Sequence, residues 1–207
     1  MAKKNSIILG IGGGGQNIVN YLQGKLLRVD MICVNSDEQI LKLSKTQTLL
    51  LKNRKIFTNS KLINSIIEFF RKEQSFGCGG NTLLAKALVD KQHEKIRKII
   101  SNYNQVILIS TFGGGFGTGA TPAIAKLAKE LDLKITGIVT IPFSHEGITR
   151  KNIALVGIQE LKQFVDKCMV LDNQELVKFL PSNTSLKEAF NIISNKIYKI
   201  CRDETII

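Results

Sequence analysis

Two glycine-rich junctions constrain this chain more than any other feature. In the first, Ser6-Ile7-Ile8-Leu9 leads into Gly10-Ile11-Gly12-Gly13-Gly14-Gly15 and a helical segment beginning near Gln16-Asn17. In the second, Val106-Ile107-Leu108-Ile109-Ser110 passes through Thr111-Phe112 into Gly113-Gly114-Gly115-Phe116-Gly117-Thr118-Gly119 and another helical segment. Each is an apolar strand emptying into a loop that opens a helix. Glycines let the backbone approach an anion without a Cβ in the way, and the free N–H groups and dipole of the following helix supply the positive end. Thr118 adds a hydroxyl donor. A tight strand-to-helix turn explains either loop alone, but two in one domain point to a nucleotide site.

The rest of the chain supplies a frame for such a site. Apolar runs predict strands near 5–10, 29–35, 47–51, 105–110, 133–141 and 167–172, and helical patterns lie near 15–25, 61–73, 82–102, 118–131, 148–165, 173–180 and 184–203. Ile124, Leu127, Ala128 and Leu131 recur at helical spacing, as do Leu186, Phe190, Ile193, Ile197 and Cys201, so each of these helices has one face to bury. Strands that read as continuous Val/Ile/Leu runs are buried on both faces, and their alternation with helices implies a mostly parallel sheet wrapped in helices. The expectation is one doubly wound α/β domain of 207 residues. Its ligand belongs at the carboxyl ends of the strands, where both glycine loops sit.

Composition removes several alternatives. Cys33, Cys78, Cys168 and Cys201 are far apart, and the only histidines are His93 and His145, so neither a disulfide framework nor a zinc site is indicated. The apolar stretch after Lys3 and Lys4 is too short for a secretory signal and no run approaches a membrane span, which leads to an expected cytoplasmic location. The net charge of +12 is concentrated between Lys42 and Lys72, where Lys42, Lys45, Lys52, Arg54, Lys55, Lys61, Arg71 and Lys72 face one acid, Glu68. Such a segment is either a solvated surface or a contact for an anionic partner, nucleic acid or membrane. Within it, Leu62, Ile63, Ile66, Ile67, Phe69 and Phe70 form a helix-like apolar group.

Gly10-x-Gly12-x-x-Gly15 satisfies the dinucleotide fingerprint but leaves the second loop unused, and neither loop carries a Walker A lysine. With one substitution, Gly113-Gly114-Gly115-Phe116-Gly117-Thr118-Gly119 resembles the GGGTGTG signature of the tubulin/FtsZ family. The first loop with Gln16-Asn17-Ile18-Val19-Asn20, the segment Val34-Asn35-Ser36-Asp37, the turn Gly77-Cys78-Gly79-Gly80-Asn81, and Pro142-Phe143-Ser144-His145-Glu146-Gly147 with Arg150 extend the resemblance in order. It implies the Rossmann-like three-layer GTPase domain of that family, with GTP or GDP as ligand and Mg2+ held mainly by phosphates and water. By the same resemblance, Gly13, Gly14, Gln16 and Asn17 meet the α/β phosphates, and Gly114, Gly115, Gly117, Thr118 and Gly119 cradle the β/γ phosphates. Cys78, Gly79, Gly80 and Asn81 approach the γ-phosphate. Glu146 bonds the ribose, Arg150 pairs with phosphate or ribose, Asn173 reaches the guanine edge, and Phe190 stacks on the base. Read without the family, Phe190 is a core residue and Glu146–Arg150 an ordinary i,i+4 pair.

The chain also departs from the family pattern. Phe116 replaces a small hydroxyl residue in the signature loop, putting a ring where backbone and ligand come close. Ser194 stands where FtsZ carries an aspartate that accepts from guanine, which weakens guanine preference. The resemblance covers a single domain over 1–207 with its central helix at 184–203 and no second domain. The acidic catalytic loop that follows this helix in the family is expected to be missing. The implied function is therefore an FtsZ-like GTP-binding protein of a bacterial division or cytoskeletal filament. It would stack head to tail with FtsZ-type subunits, hydrolyse GTP weakly or not at all alone, and could cap a filament. The alternative is a degenerate nucleotide-binding adaptor or filament regulator acting on FtsZ, DNA or membrane, and a Rossmann oxidoreductase is a third reading.

Overall fold

The structure is a computed structural model that describes residues 4–52, 78–178, 180–181 and 184–205. Six strands, β1 (Lys4–Ile11), β2 (Asp30–Asn35), β3 (Gln47–Leu50), β4 (Tyr103–Thr111), β5 (Lys134–Ile141) and β6 (Lys167–Asp172), form one sheet in the order β3-β2-β1-β4-β5-β6. Every pairing is parallel. The helices are α1 (Gly12–Leu22), α2 (Glu38–Leu41), α3 (Thr82–Lys91), α4 (His93–Ile100), α5 (Gly115–Lys129), α6 (Ile148–Leu161), α7 (Asn173–Val177) and α8 (Leu186–Thr205). Strand order reverses between β1 and β4, which are paired from Lys4↔Tyr103 to Ile11↔Ser110. Both glycine loops therefore leave adjacent strands at the same end of the sheet, at its topological switch point.

Alternation along the central strands divides the core into two layers. Ile7, Leu9 and Ile11 of β1 and Val106 and Leu108 of β4 pack with Ala85, Leu88, Ile96, Ile124 and Ile158 on the α3–α6 side. Ile8, Ile107 and Ile109 face the other way, toward Val19 and Leu22 of α1 and Ile193, Ile197 and Cys201 of α8. The result is a three-layer α/β/α sandwich in which each fully buried Ile or Leu contributes about 1.5–3 kcal/mol. At the end of the sheet away from the glycine loops, Asp30 accepts from Lys4 Nζ and Tyr103 Oη, both at 2.7 Å. The Lys4 hydrogen bond, then that of Tyr103, holds the Asp30 carboxyl below its ordinary value. Its stabilising effect is present above that ordinary range and is lost as pH falls through the lowered value, and the exposed Lys4–Asp30 pair is screened by solvent.

Three expectations are corrected. Both glycine helices start about three residues earlier than the pattern placed them, at Gly12 and Gly115, so most of the loop glycines lie inside first helical turns. The helix expected over 82–102 is two helices that break at Gln92 (φ −122°, ψ 20°), whose Nε2 donates to Lys52 O at 2.9 Å. Helix α2 was not foreseen; it is a single turn held by Asp37, whose Oδ1 accepts from Gln39 N and Ile40 N. The helix expected over 61–73 and most of the basic segment lie outside the described residues.

Close approach of elements rests on particular glycines. A Cβ on Gly15 would lie 2.5 Å from Ile109 O, and one on Gly119 would lie 2.2 Å from Thr82 O and 2.9 Å from Ala85 Cβ. Gly119 thus serves the crossing of α5 over α3. Gly119→Ala forces those helices apart, and we expect a loss of about 1–3 kcal/mol in denaturant unfolding; an unchanged midpoint would show that the crossing is looser than this packing requires.

Candidate nucleotide site

The N-termini of α1 and α5 open side by side into a cavity of about 840 Å3, in the range of small-molecule sites. Its floor is lined by Gly12, Gly13, Gly14 and Asn17 from α1 and by Gly114, Gly115, Phe116 and Gly117 from the second loop. Gly12–Gly14 and Gly115–Gly117 are the first three residues of their helices, and Gly114 is the N-cap of α5. These are the positions whose N–H groups have no partner within the helix, and they gather two helix dipoles on one space. Gly114 has nothing within 4 Å of where a Cβ would stand, whereas a Cβ on Gly14 would lie 2.1 Å from Thr111 Oγ1. Gly113 (φ 100°) is in the left-handed region that lets the strand turn into the helix.

Phe116 is a correction to the sequence reading. It lines the cavity, but the residue is 7% exposed and packs with the core on the α3–α6 side, so most of its bulk is buried. Thr118 stands one residue behind the lining, buried, with its hydroxyl accepting from Gly113 N at 2.9 Å. Gln16 is likewise behind it, its Nε2 donating to Ile40 O at 2.6 Å. Asn81 caps α3, accepting from Leu84 N at 3.0 Å. Gly79, Gly80 and Asn81 do not line the cavity, while Cys78 does. Burial pushes the Cys78 thiol up, against the Ser36 hydrogen bond (3.4 Å), so it stays protonated at neutral pH and is a poor nucleophile.

The walls come from the carboxyl ends of β2, β5 and β6 and from α8. Glu146, in a single 3-10 turn after β5, accepts from Phe143 N through Oε1 (2.9 Å) and from Arg150 Nη1 through Oε2 (2.7 Å). Both line the cavity, as do Asn173, Phe190 and Ser194. Phe190 is half exposed and held edge-on by Phe143 (5.8 Å, 78°). It is therefore not the core residue that its place on the apolar stripe would suggest. Sequence reasoning gave no role to Thr140, Lys187 or Asn191, which also line the cavity, and only placed Asn35 in a segment. The only signal for Lys187 and Asn191 was their helical spacing from Ser194.

Three buried polar atoms around this space have no hydrogen-bond partner among the described residues: Asn35 Nδ2, Thr140 Oγ1 and Asn173 Oδ1. Buried polar groups are almost always paired, so three beside one cavity suit a polar ligand or ordered water. Asn35 Oδ1, in contrast, accepts from Ser36 N and Asp37 N. Among the described residues, no group of three or more His, Cys, Asp or Glu side chains could hold a metal ion, and no helix is long and apolar enough to cross a membrane.

Residues 5–181 match the Tubulin/FtsZ family, GTPase domain. The chain belongs to this family. A dimeric, empty FtsZ of M. jannaschii superposes with a TM-score of 0.80 at 26% identity, over 99% of this chain and 55% of that one. CetZ2 from Haloferax volcanii, in a GTPγS-bound protofilament, gives 0.76 at 18% identity over 97% of this chain and 58% of its own. TubZ of Clostridium botulinum phage c-st gives 0.71 at 20% identity over 97% and 60%; these last two show the shared fold alone. The chain spans a little over half the length of these relatives.

The open space beyond Gly114 generates a prediction. Gly114→Ala keeps an extended backbone (φ −98°, ψ 175°) and lies within about 1 kcal/mol of the parent in stability. If phosphates bind over these amides, its methyl group enters their place, and calorimetric titration with GTP should show at least about tenfold weaker binding. Unchanged affinity would place the phosphates elsewhere.

Proposed function

We propose that this chain binds GTP or GDP in the cavity over β1 and β4 and works as a subunit of an FtsZ-like division or cytoskeletal filament. The observation that carries the reading is the convergence of two helix N-termini on a space bounded by a half-exposed aromatic ring and an unpaired buried amide. Phosphates meet the amides of Gly12–Gly14 and Gly114–Gly117, with Asn17 beside them. Glu146 bonds the ribose hydroxyls, and Arg150, already paired to Glu146, orients that carboxylate and adds positive charge. Phe190 carries the base on its π-face, and Asn173 offers Oδ1 to the base edge. Gln16, Asn81, Thr118 and Gly119 support the cradle from behind. A divalent cation, held mainly by phosphate oxygens and water, would neutralise charge on the transferring phosphoryl group.

Hydrolysis by the chain alone is proposed to be slow. The carboxylates that line the cavity, Asp37 and Glu146, are both held by donors of their own chain, one as the cap of α2 and the other by Phe143 N and Arg150. Both are anchored by these donors, which supports a reading in which efficient turnover draws on groups from a second subunit. The FtsZ relative is a dimer, which supports contact with a second subunit as the source of those groups.

The test measures binding and turnover together on purified protein. We expect GTP to bind with one site per chain in the presence of Mg2+, and turnover to rise when an FtsZ-type partner with intact acidic residues is added. Binding with full turnover by the isolated monomer would contradict the division of labour. An absence of guanine nucleotide binding would remove the reading itself.

A further inference from the structure

The wall formed by α8 carries a polar stripe that the reading above leaves without a role. Lys187, Asn191 and Ser194 stand at i, i+4 and i+7, one face of the helix, and all three line the cavity beside Phe190. Phe190 is the half-exposed ring there, since Phe112 and Phe116 are almost wholly buried. A purine stacked on it presents its edge to this stripe and to Asn173 Oδ1. Among the described residues Lys187 has no hydrogen-bond or ion-pair partner, and the adjacent Glu188 is turned back to Ser185 Oγ at 2.7 Å. No carboxylate competes for the position, because Asp37 and Glu146 are both held by their own chain.

We infer that Lys187, Asn191, Ser194 and Asn173 form a carboxylate-free base-reading set that selects 6-oxopurine nucleotides and does not count the 2-amino group. The inference rests on the nucleotide reading proposed above. A carboxylate facing a guanine accepts from N1–H and the 2-amino group together and repels an oxygen at C2. Here one buried acceptor, Asn173 Oδ1, suffices for N1–H, and the serine hydroxyl is a weaker acceptor for the amino group. The Lys187 ammonium donates to oxygens of the base, which favours xanthine and hypoxanthine as well as guanine. Adenine brings an amino group to that ammonium and an acceptor nitrogen to Asn173 Oδ1, so both contacts are lost.

Calorimetric titration of the full chain with the Mg2+ complexes of GTP, ITP, XTP and ATP decides the matter. ITP and XTP are expected within about tenfold of GTP, because the N1–H and the C6 oxygen are common to all three and no carboxylate penalises a change at C2, and ATP at least about a hundredfold weaker. If GTP binds and ITP and XTP are each a hundredfold weaker or more, the inference is overturned and the nucleotide reading stands. If none of the four binds, the nucleotide reading fails and takes the inference with it. Lys187→Met should weaken XTP, with two base oxygens, more than ITP, with one. An equal loss for both would put the ammonium on a group they share, the C6 oxygen, ribose or phosphate, and overturn its contact with an oxygen at C2.

Discussion

The site depends on the seating of two helix N-termini against two adjacent parallel strands. β1 and β4 run side by side in register, and each hands its chain to a helix through glycines, several of which leave no room for a Cβ. A Cβ on Gly10 would lie 2.6 Å from Val19 Cγ2, and one on Gly117 would lie 2.6 Å from Ser110 Oγ. The same glycines that fix α1 and α5 onto the sheet leave the first amides of both helices unpaired. Packing and the capacity to hold an anion are thus one constraint, and the cavity's electrostatic character follows from backbone geometry with few charged side chains.

Side chains then divide the cavity by chemistry. Near the glycine floor the lining is backbone and Asn17. On the β5 side, Glu146 and Arg150 hold each other in place, an exposed pair that adds little to stability and acts by orientation. On the α8 side, an aromatic ring stands among amides, a hydroxyl and an ammonium that is unpaired among the described residues. A site with so few carboxylates suits an anionic ligand.

Much of the fold was legible in the sequence because buried parallel strands announce themselves: Ile7 to Ile11 and Val106 to Ile109 are apolar on both faces, as two-sided burial demands. The helix starts were misplaced because glycine reads as loop, while here tertiary packing holds Gly12–Gly15 and Gly115–Gly119 in helical turns despite their poor propensity. Helix α2 was too short to show any period. Phe116 looked like an obstruction because its side-chain direction depends on how α5 crosses the sheet, which no local pattern records. Lys187 and Asn191 were hidden for the opposite reason, since polar residues on an amphipathic helix read as a solvent face until the cavity beside them is known.

The most direct measurement is amide hydrogen exchange, residue by residue, with and without GTP and Mg2+. The unpaired N–H groups of Gly12–Gly14 and Gly114–Gly117 should exchange rapidly in the free protein and become protected in the complex, ahead of any change in the strands beneath them. Nucleotide binding with no protection at these amides would contradict the claim that the two helix N-termini hold the phosphates.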